Sequence, residues 1–284
     1  MASPRSRGTN PSPDAPMRSL GLMCGAGPLP ARMAAEARRQ GWRVVAFAFP
    51  GAADLTAVAD TVVPTRLEAL VPVVETLARE KVAGVAFSGK FWMGDLLAAR
   101  TPDGVHAAIA ARAGALVDGN LTEAIVATLA GLGIDLLDQR LLLGDWLGGA
   151  RTWTARAPSE AEWRDIRRGF AVARLVADAG VGQTVVIKRG AVGAVEAIDG
   201  TTETIRRGTG LSGPGAVVVK AVARAHDFRF DTPAIGPETL EAAAAGGATT
   251  VAVEAGRVLI LEPEVTIPRA DAAGMALVAA GADD

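Results

Sequence analysis

The chain has 284 residues, half of them apolar, with 29 Lys and Arg against 31 Asp and Glu and a formal net charge of -2. That length suits one large domain or two ordinary ones with a real core. The near balance of charge offers no basic excess to neutralise phosphates along a nucleic acid. Cys24 is the single cysteine, and His106 and His226 are the two histidines. A disulfide framework and a zinc site of several thiolates and imidazoles are therefore excluded, and any metal would need oxygen ligands. No apolar run reaches the roughly 20 residues of a membrane helix, and the N-terminus lacks the apolar core of a secretory signal, so a cytoplasmic protein is expected.

In chain order, residues 1–16 are rich in Ser, Pro, Gly and Arg and read as a disordered tail, with Met17 an alternative start. Leu20 to Cys24 reads as a strand, Pro30 to Gln40 as a helix with Pro in its first turn and Gly41 closing it, and Arg43 to Phe49 as the next strand. Lys81 to Phe87 repeats the strand pattern, and helices are expected over Leu67 to Arg79, Val105 to Arg112 and Leu121 to Leu132. Alternating strands and helices predict an α/β fold with a doubly wound parallel sheet over 17–149. Gly144 to Pro158 has neither helical nor strand period, which places a domain boundary near Gly149 and a second α/β domain over 150–284. There, Ser159 and Glu162 form a capping-box pair for a long helix ending near Gly180. Thr184 to Ile187 and Val192 to Ile198 read as a hairpin around Lys188, Arg189 and Gly190, and Ala216 to Lys220 as a further strand. Pro237 to Ala245 is a helix, Thr250 to Glu254 and Val258 to Leu261 read as a second hairpin, and a helix-strand pair closes the chain.

Four segments carry candidate chemistry. The loop from Gly25 through Gly27 and Leu29 to Pro30 follows a strand and opens a helix, a place where free N–H groups favour a phosphate. The dinucleotide fingerprint is broken by Pro30 and by Pro50-Gly51, so a nicotinamide site is disfavoured, and a ligand-free tight turn is the plain alternative. Ser88-Gly89-Lys90 lies just past a strand, at the edge where open α/β sheets bind ligands, although a lone lysine after a turn is as often solvated. In VVVKAVARAHDFRFDTPAIG, an apolar strand releases Lys220, Asp227, Arg229 and Asp231. The two carboxylates are hard oxygen ligands of the kind Mg²⁺ prefers, and the two cations suit a diphosphate; a surface loop with ordinary ion pairs is the competing reading. Glu196, Asp199, Gly200 and Thr201 end a strand before a helix and rank as secondary metal or sugar ligands, with Asp199 otherwise a helix cap. His226 beside Asp227 does not make a hydrolytic triad, because no Gly-x-Ser-x-Gly elbow accompanies it.

Several segments in order, GLMCGAGPLP, FSGK, GVGQTVVIKRGAVGAVEAIDGT, HDFRFDTPAIGPETLEAAAAGG and VAVEAG, resemble the LpxI-type UDP-2,3-diacylglucosamine pyrophosphatases over nearly the whole chain. The resemblance implies a Rossmann-like N-terminal domain and a family-specific α/β C-terminal domain. It further implies Mg²⁺-dependent hydrolysis of UDP-2,3-diacylglucosamine to lipid X and UMP in lipid A biosynthesis, with water attacking the sugar-side phosphorus. It places the essential Asp on Asp227, with Asp231 in reserve, and so implies a metal held by these two. A lipid-linked substrate implies transient contact with the inner membrane surface and an apolar groove between domains, with Phe91, Trp92, Trp146 and Trp153 as aromatic candidates to line it. A homodimer is the default for an enzyme of this size. The chain departs from the family pattern where Ala223, Arg224 and His226 replace a Lys-Pro and Gln ahead of the Asp, and where Thr202 replaces an Asp after Gly-Thr. Arg224 stands one residue beyond the lost lysine, a shift that changes faces on a strand. The alternative function is accordingly a divergent member that binds a sugar nucleotide or lipid with altered or lost hydrolysis.

Overall fold

The computed structural model describes residues 18–91, 103–113, 118–147 and 149–281. The expected N-terminal tail and Trp92 lie outside them. Among the described residues, no helix is long and apolar enough to cross a membrane. The chain divides into two compact units, 1–137 and 138–284. The division falls ahead of Gly149, and backbone bonding shows why. The Leu137 amide donates to the Val85 carbonyl at 2.7 Å in the first unit, and two residues later the Gln139 amide donates to the Phe228 carbonyl at 2.9 Å in the second.

In the first unit, β1 (Ser19–Cys24), β2 (Arg43–Ala48), β3 (Thr61–Pro64), β4 (Val82–Ser88) and β5 (Asp135–Leu136) form one sheet in the order β3-β2-β1-β4-β5. Every pairing is parallel. The connecting helices are α1 (Leu29–Arg39), α2 (Val71–Arg79), α3 (Gly104–Ala113) and α4 (Asp118–Gly131). Strands β1 and β2 are almost wholly buried, as continuous apolar runs in a parallel sheet require. Phe47, Leu77, Val85 and Ile134 meet in the core. This is the doubly wound arrangement, whose order reverses between β1 and β4, the position at which such sheets bind ligands.

In the second unit, α5 (Glu160–Asp178) starts on the expected capping box: Ser159 Oγ accepts the Glu162 amide, and Glu162 accepts the Ser159 amide at 2.7 Å. Strands β6 (Arg151–Thr152), β7 (Thr184–Lys188), β8 (Ala191–Val195), β9 (Val217–Lys220), β11 (Thr250–Glu254) and β13 (Ala276–Ala280) form a sheet in the order β6-β13-β11-β9-β7-β8. Strands β9, β11 and β13 are parallel, β7 runs antiparallel to β9, and β7 and β8 form the expected hairpin. Its turn has positive φ at both Arg189 and Gly190, as a two-residue hairpin turn favours, and both amides donate to the Asp165 carboxylate at 2.7 Å.

The expected second hairpin does not form. Strand β12 (Leu259–Ile260) pairs in parallel with β10 (Ala234–Ile235), and β11 lies between β9 and β13. The apolar run Val251 to Val253, buried on both sides, belongs in a parallel sheet interior, and its spacing to the next apolar pair imitated a hairpin.

Side chains alternate across this sheet with period two. Val217, Val219 and Ala252 pack on α5 through Ile166, Phe170 and Ala173. Val186, Val218, Val251 and Val253 face α6 (Gly200–Ser212), α7 (Pro237–Ala245) and α8 (Pro263–Ala272) through Ile205, Leu240, Ala243 and Ala270. Lys220, two residues after Val218, therefore points to the α6 side, at the edge where β9 and β11 end.

Candidate functional site

In the first unit, the Gly25 loop and the Ser88-Gly89-Lys90 loop leave β1 and β4 side by side. They are stitched together: the Gly25 amide donates to the Ser88 carbonyl at 2.8 Å, Ala26 to Lys90 at 3.0 Å and Lys90 back to Ala26 at 2.8 Å. Glycine is required on both sides. A Cβ on Gly25 would stand 2.5 Å from the Lys90 carbonyl oxygen, and one on Gly89 would stand 2.7 Å from that of Ala26, at a φ of +81°. Ser88 is buried and its Oγ has no hydrogen-bond partner, whereas Lys90 is exposed. Gly27 has positive φ and Leu29 opens α1, with Pro30 buried in its first turn. Phe91 packs edge-on to Phe49 and Phe87, with centroids 5.3 and 5.9 Å apart, so it belongs to this unit's core. Beside this loop pair, a cleft of about 370 Å³ opens at the ends of β2 and β3, lined by Phe49, Val63, Thr65, Arg66, Pro72 and Val73.

In the second unit, the carboxyl edge of the parallel strands gathers Lys220, Thr201 and Glu196. Lys220 is 6 % exposed. Its Nζ donates to Thr201 Oγ1 at 2.9 Å, and the Thr201 hydroxyl donates to Glu196 Oε1 at 2.9 Å. Glu196 Oε2 accepts the Gln183 amide at 3.2 Å, so the carboxylate is anchored at both oxygens. Burial lowers the pKa of Lys220, against which the Glu196 and Asp231 carboxylates act to keep it charged. Thr201 sits in the first turn of α6 because Gly200, with positive φ, turns the chain there. Asp199 precedes that helix without capping it. Its carboxylate instead accepts the Ala197 amide at 3.0 Å and Arg207 at 2.8 Å.

The segment after β9 divides the expected metal pair between two environments. Both Asp227 oxygens accept from Arg229, Oδ1 from Nε at 2.9 Å and Oδ2 from Nη2 at 2.7 Å, and Oδ1 also takes the Arg229 amide at 3.0 Å. The Arg229 guanidinium beside Asp227 holds its carboxyl below the usual range. Asp231, by contrast, is exposed and acts on Lys220, while its backbone carbonyl meets His226 Nε2 at 3.0 Å. Among the described residues, no three His, Cys, Asp or Glu side chains gather as a metal cage. Arg224 is held by Asp178 through both its amide and its guanidinium, so it does not supply a free charge in place of the lysine absent at Ala223. Trp153 packs under Arg151, 3.3 Å from its ring centroid, and against the second unit's core, while Trp146 is buried.

Sequence reasoning missed two groups here. Asp138 and Arg140 form an i, i+2 pair like that of Asp227 and Arg229, with Arg140 Nε at 3.0 Å from Asp138 Oδ1, and Arg140 stacks 4.1 Å over the Phe228 ring. The signal was the repeated Asp-x-Arg spacing in DQR and DFR. The second is Glu254, held by Arg174 and Arg257. Its signal was the parallel between VAVE and VVVK, apolar strands that each end on one buried charge.

A doubly wound parallel-sheet unit followed by a second α/β unit with a charged sheet edge defines a two-domain α/β protein. Residues 19–146 match the LpxI N-terminal domain and residues 149–278 the LpxI C-terminal domain. The chain belongs to the LpxI family. It is also 27 % identical over 275 residues, 91 % of this chain and 96 % of the relative, to a Caulobacter vibrioides protein named UDP-2,3-diacylglucosamine pyrophosphatase LpxI.

Proposed function

We propose that the protein hydrolyses UDP-2,3-diacylglucosamine to 2,3-diacylglucosamine 1-phosphate (lipid X) and UMP. Family membership and the name of the Caulobacter relative support the diphosphatase class. The observation that carries the reading to this chain's own residues is the buried Lys220, Thr201, Glu196 chain at a sheet edge beside the acidic segment. A lysine is held there at the head of a fixed hydrogen-bond chain, and Thr201 leaves it N–H donors for an incoming oxyanion. In the reaction, a water oxygen bonds to the sugar-side phosphorus and gives up a proton to solvent, the bond from that phosphorus to the bridging oxygen breaks, and UMP leaves with the bridging oxygen and its bonding electron pair. Charge grows on the diphosphate oxygens, and Lys220 and Arg229 are the cations suited to stabilise it. Asp227, kept ionised by Arg229, accepts hydrogen bonds and does not act as an acid.

Mg²⁺ belongs to this reading in a limited form. It uses one or two carboxylates and completes its shell with water and substrate phosphate, which suits the partly exposed Asp227 and the exposed Asp231 without a protein cage. Asp231, or Asp227 in exchange for its bonds to Arg229, would hold it, and it would there neutralise diphosphate charge. The reading also sets the protein at work on the inner membrane surface, where a diacylated substrate resides, and as a homodimer.

The alternative, a family member that binds without hydrolysing, is favoured by the pairing of Arg224 with Asp178, which leaves the charge missing at Ala223 unreplaced by that residue. Binding without UMP release by the unaltered protein selects this alternative, and where UMP is released Asp227→Ala tests the site. Loss of UMP release with substrate binding retained supports hydrolysis at this site, and turnover equal to the unaltered protein rejects the assignment of Asp227.

A further inference from the structure

Glu254 ends β11 at the sheet edge where Lys220 ends β9, and it is only 5 % exposed. Its Oε1 accepts Arg174 Nη2 at 2.6 Å and faces Arg257 Nη1 at 3.5 Å, while Oε2 accepts the Val222 amide at 2.9 Å. Arg257 Nη2 donates onward to the Ala223 carbonyl at 2.6 Å and to that of Arg224 at 3.4 Å. Three successive backbone groups between Lys220 and Asp227 are thus held by one carboxylate and one guanidinium, in a stretch that has neither helix nor strand to satisfy them. The same guanidinium lies 5.5 Å from the centroid of the Phe228 ring, which Arg140 covers at 4.1 Å and His226 meets edge-on at 4.7 Å. Phe228 is buried between Asp227 and Arg229 in sequence. Fixing the ring and the preceding carbonyls fixes the carboxylate between them.

We infer that Arg257, backed by Glu254 and Arg174, is a positioning residue that sets Asp227 relative to Lys220. The inference rests on the reading of Asp227 as an active-site group. The chemistry explains the residue types. Arg174 is anchored on α5 with its side chain 11 % exposed, so Glu254 cannot swing away. A planar guanidinium reaches Glu254 through one nitrogen and Ala223 through another, which a lysine ammonium cannot reproduce in the same fixed fork.

The test compares the full-length protein with Arg257→Ala and Arg257→Lys. In Arg257→Ala the Arg174 pair still satisfies Glu254, so the buried carboxylate is not orphaned. Arg257→Lys keeps a cation beside it and carries the same comparison should the alanine variant fold poorly. Hydrogen exchange over residues 221–231 should accelerate in Arg257→Ala while α5 and β13 remain protected. The value of kcat for UMP release should fall by about 10²-fold with KM changed less than about threefold, and Arg257→Lys should recover part of the loss. Unchanged exchange in 221–231 overturns the inference, as does a loosened segment with undiminished kcat. An unaltered protein that releases no UMP defeats the hydrolase reading separately, and the exchange result then decides the positioning role by itself.

Discussion

Replacing Thr201 by valine removes one hydroxyl and breaks the chain that joins a buried cation to its carboxylate. The shape at the start of α6 is nearly preserved, so the effect is chemical. Two hydrogen bonds are lost, from Lys220 at 2.9 Å and to Glu196 at 2.9 Å, each with a charged partner. Such bonds contribute about 1.5–3 kcal/mol each, and because Thr201 is only half-buried the lower end applies to both, giving a loss of about 3 kcal/mol. Lys220 is left among apolar strand residues with its burial cost no longer offset by the hydroxyl. Urea denaturation read by tryptophan fluorescence measures the stability term, and UMP release measures the functional one. The midpoint should drop with the slope unchanged, and turnover should fall more steeply than stability alone explains. A variant within about 0.5 kcal/mol of the unaltered protein, with full turnover, would refute the claim that this chain organises the edge.

Two further expectations follow from the geometry. Glu162 is held at both oxygens by Arg156 at 2.7 and 2.8 Å and by the Ser159 amide and hydroxyl. Burial raises its pKa, but a hydrogen bond from the Thr249 side chain together with these bonds outweighs it and brings the value down to about 2 from 4.5. A depressed carboxyl stabilises the fold above its unfolded pKa and loses that effect as pH falls towards its folded one. The contribution, about 3 kcal/mol, should therefore be complete above pH ~5 and fade towards pH ~2, and Glu162→Gln should lose it at neutral pH while converging on the unaltered protein in acid. Paired acid titrations monitored by far-ultraviolet circular dichroism check this, and parallel curves would contradict it. In the first unit, Gly25→Ala drives a methyl against the Lys90 carbonyl at 2.5 Å. The stitch between the β1 and β4 loops should open, with faster exchange of the Ala26 and Lys90 amides and a stability loss of about 1–3 kcal/mol.

Much of this architecture was legible because local signals agreed with the fold. The Ser159 and Glu162 capping box, the Arg189-Gly190 turn and the Pro at the head of α7 each fixed an element end through backbone chemistry that does not depend on distant residues. What failed was pairing. Thr250 to Glu254 and Leu259 to Ile260 are close in sequence, and nothing local told them to reject one another for β9, β13 and β10. Strands β3 and β5 were missed for a related reason, since Thr61–Pro64 and Asp135–Leu136 are too short to show a period and are strands only because β2 and β4 offer them free edges.

The site was half legible by the same logic. Lys220 announced itself as a charge ending an apolar strand, and Thr201 and Glu196 were named, but their union could not be read from two stretches 19 residues apart. Asp227 and Asp231, four residues apart, look alike in sequence, yet one faces Arg229 and the other acts on Lys220. Asp138 and Glu254 gave weaker signals because each depends on partners brought by the fold.

The most direct measurement is incubation of the purified chain with UDP-2,3-diacylglucosamine in ¹⁸O-labelled water, with Mg²⁺ and with chelator, followed by mass analysis of the products. Hydrolysis as proposed gives UMP and lipid X with Mg²⁺ and not with chelator, with the label in the lipid X phosphate. Substrate recovered intact in both conditions would contradict it, and label appearing in UMP would place the attack on the other phosphorus.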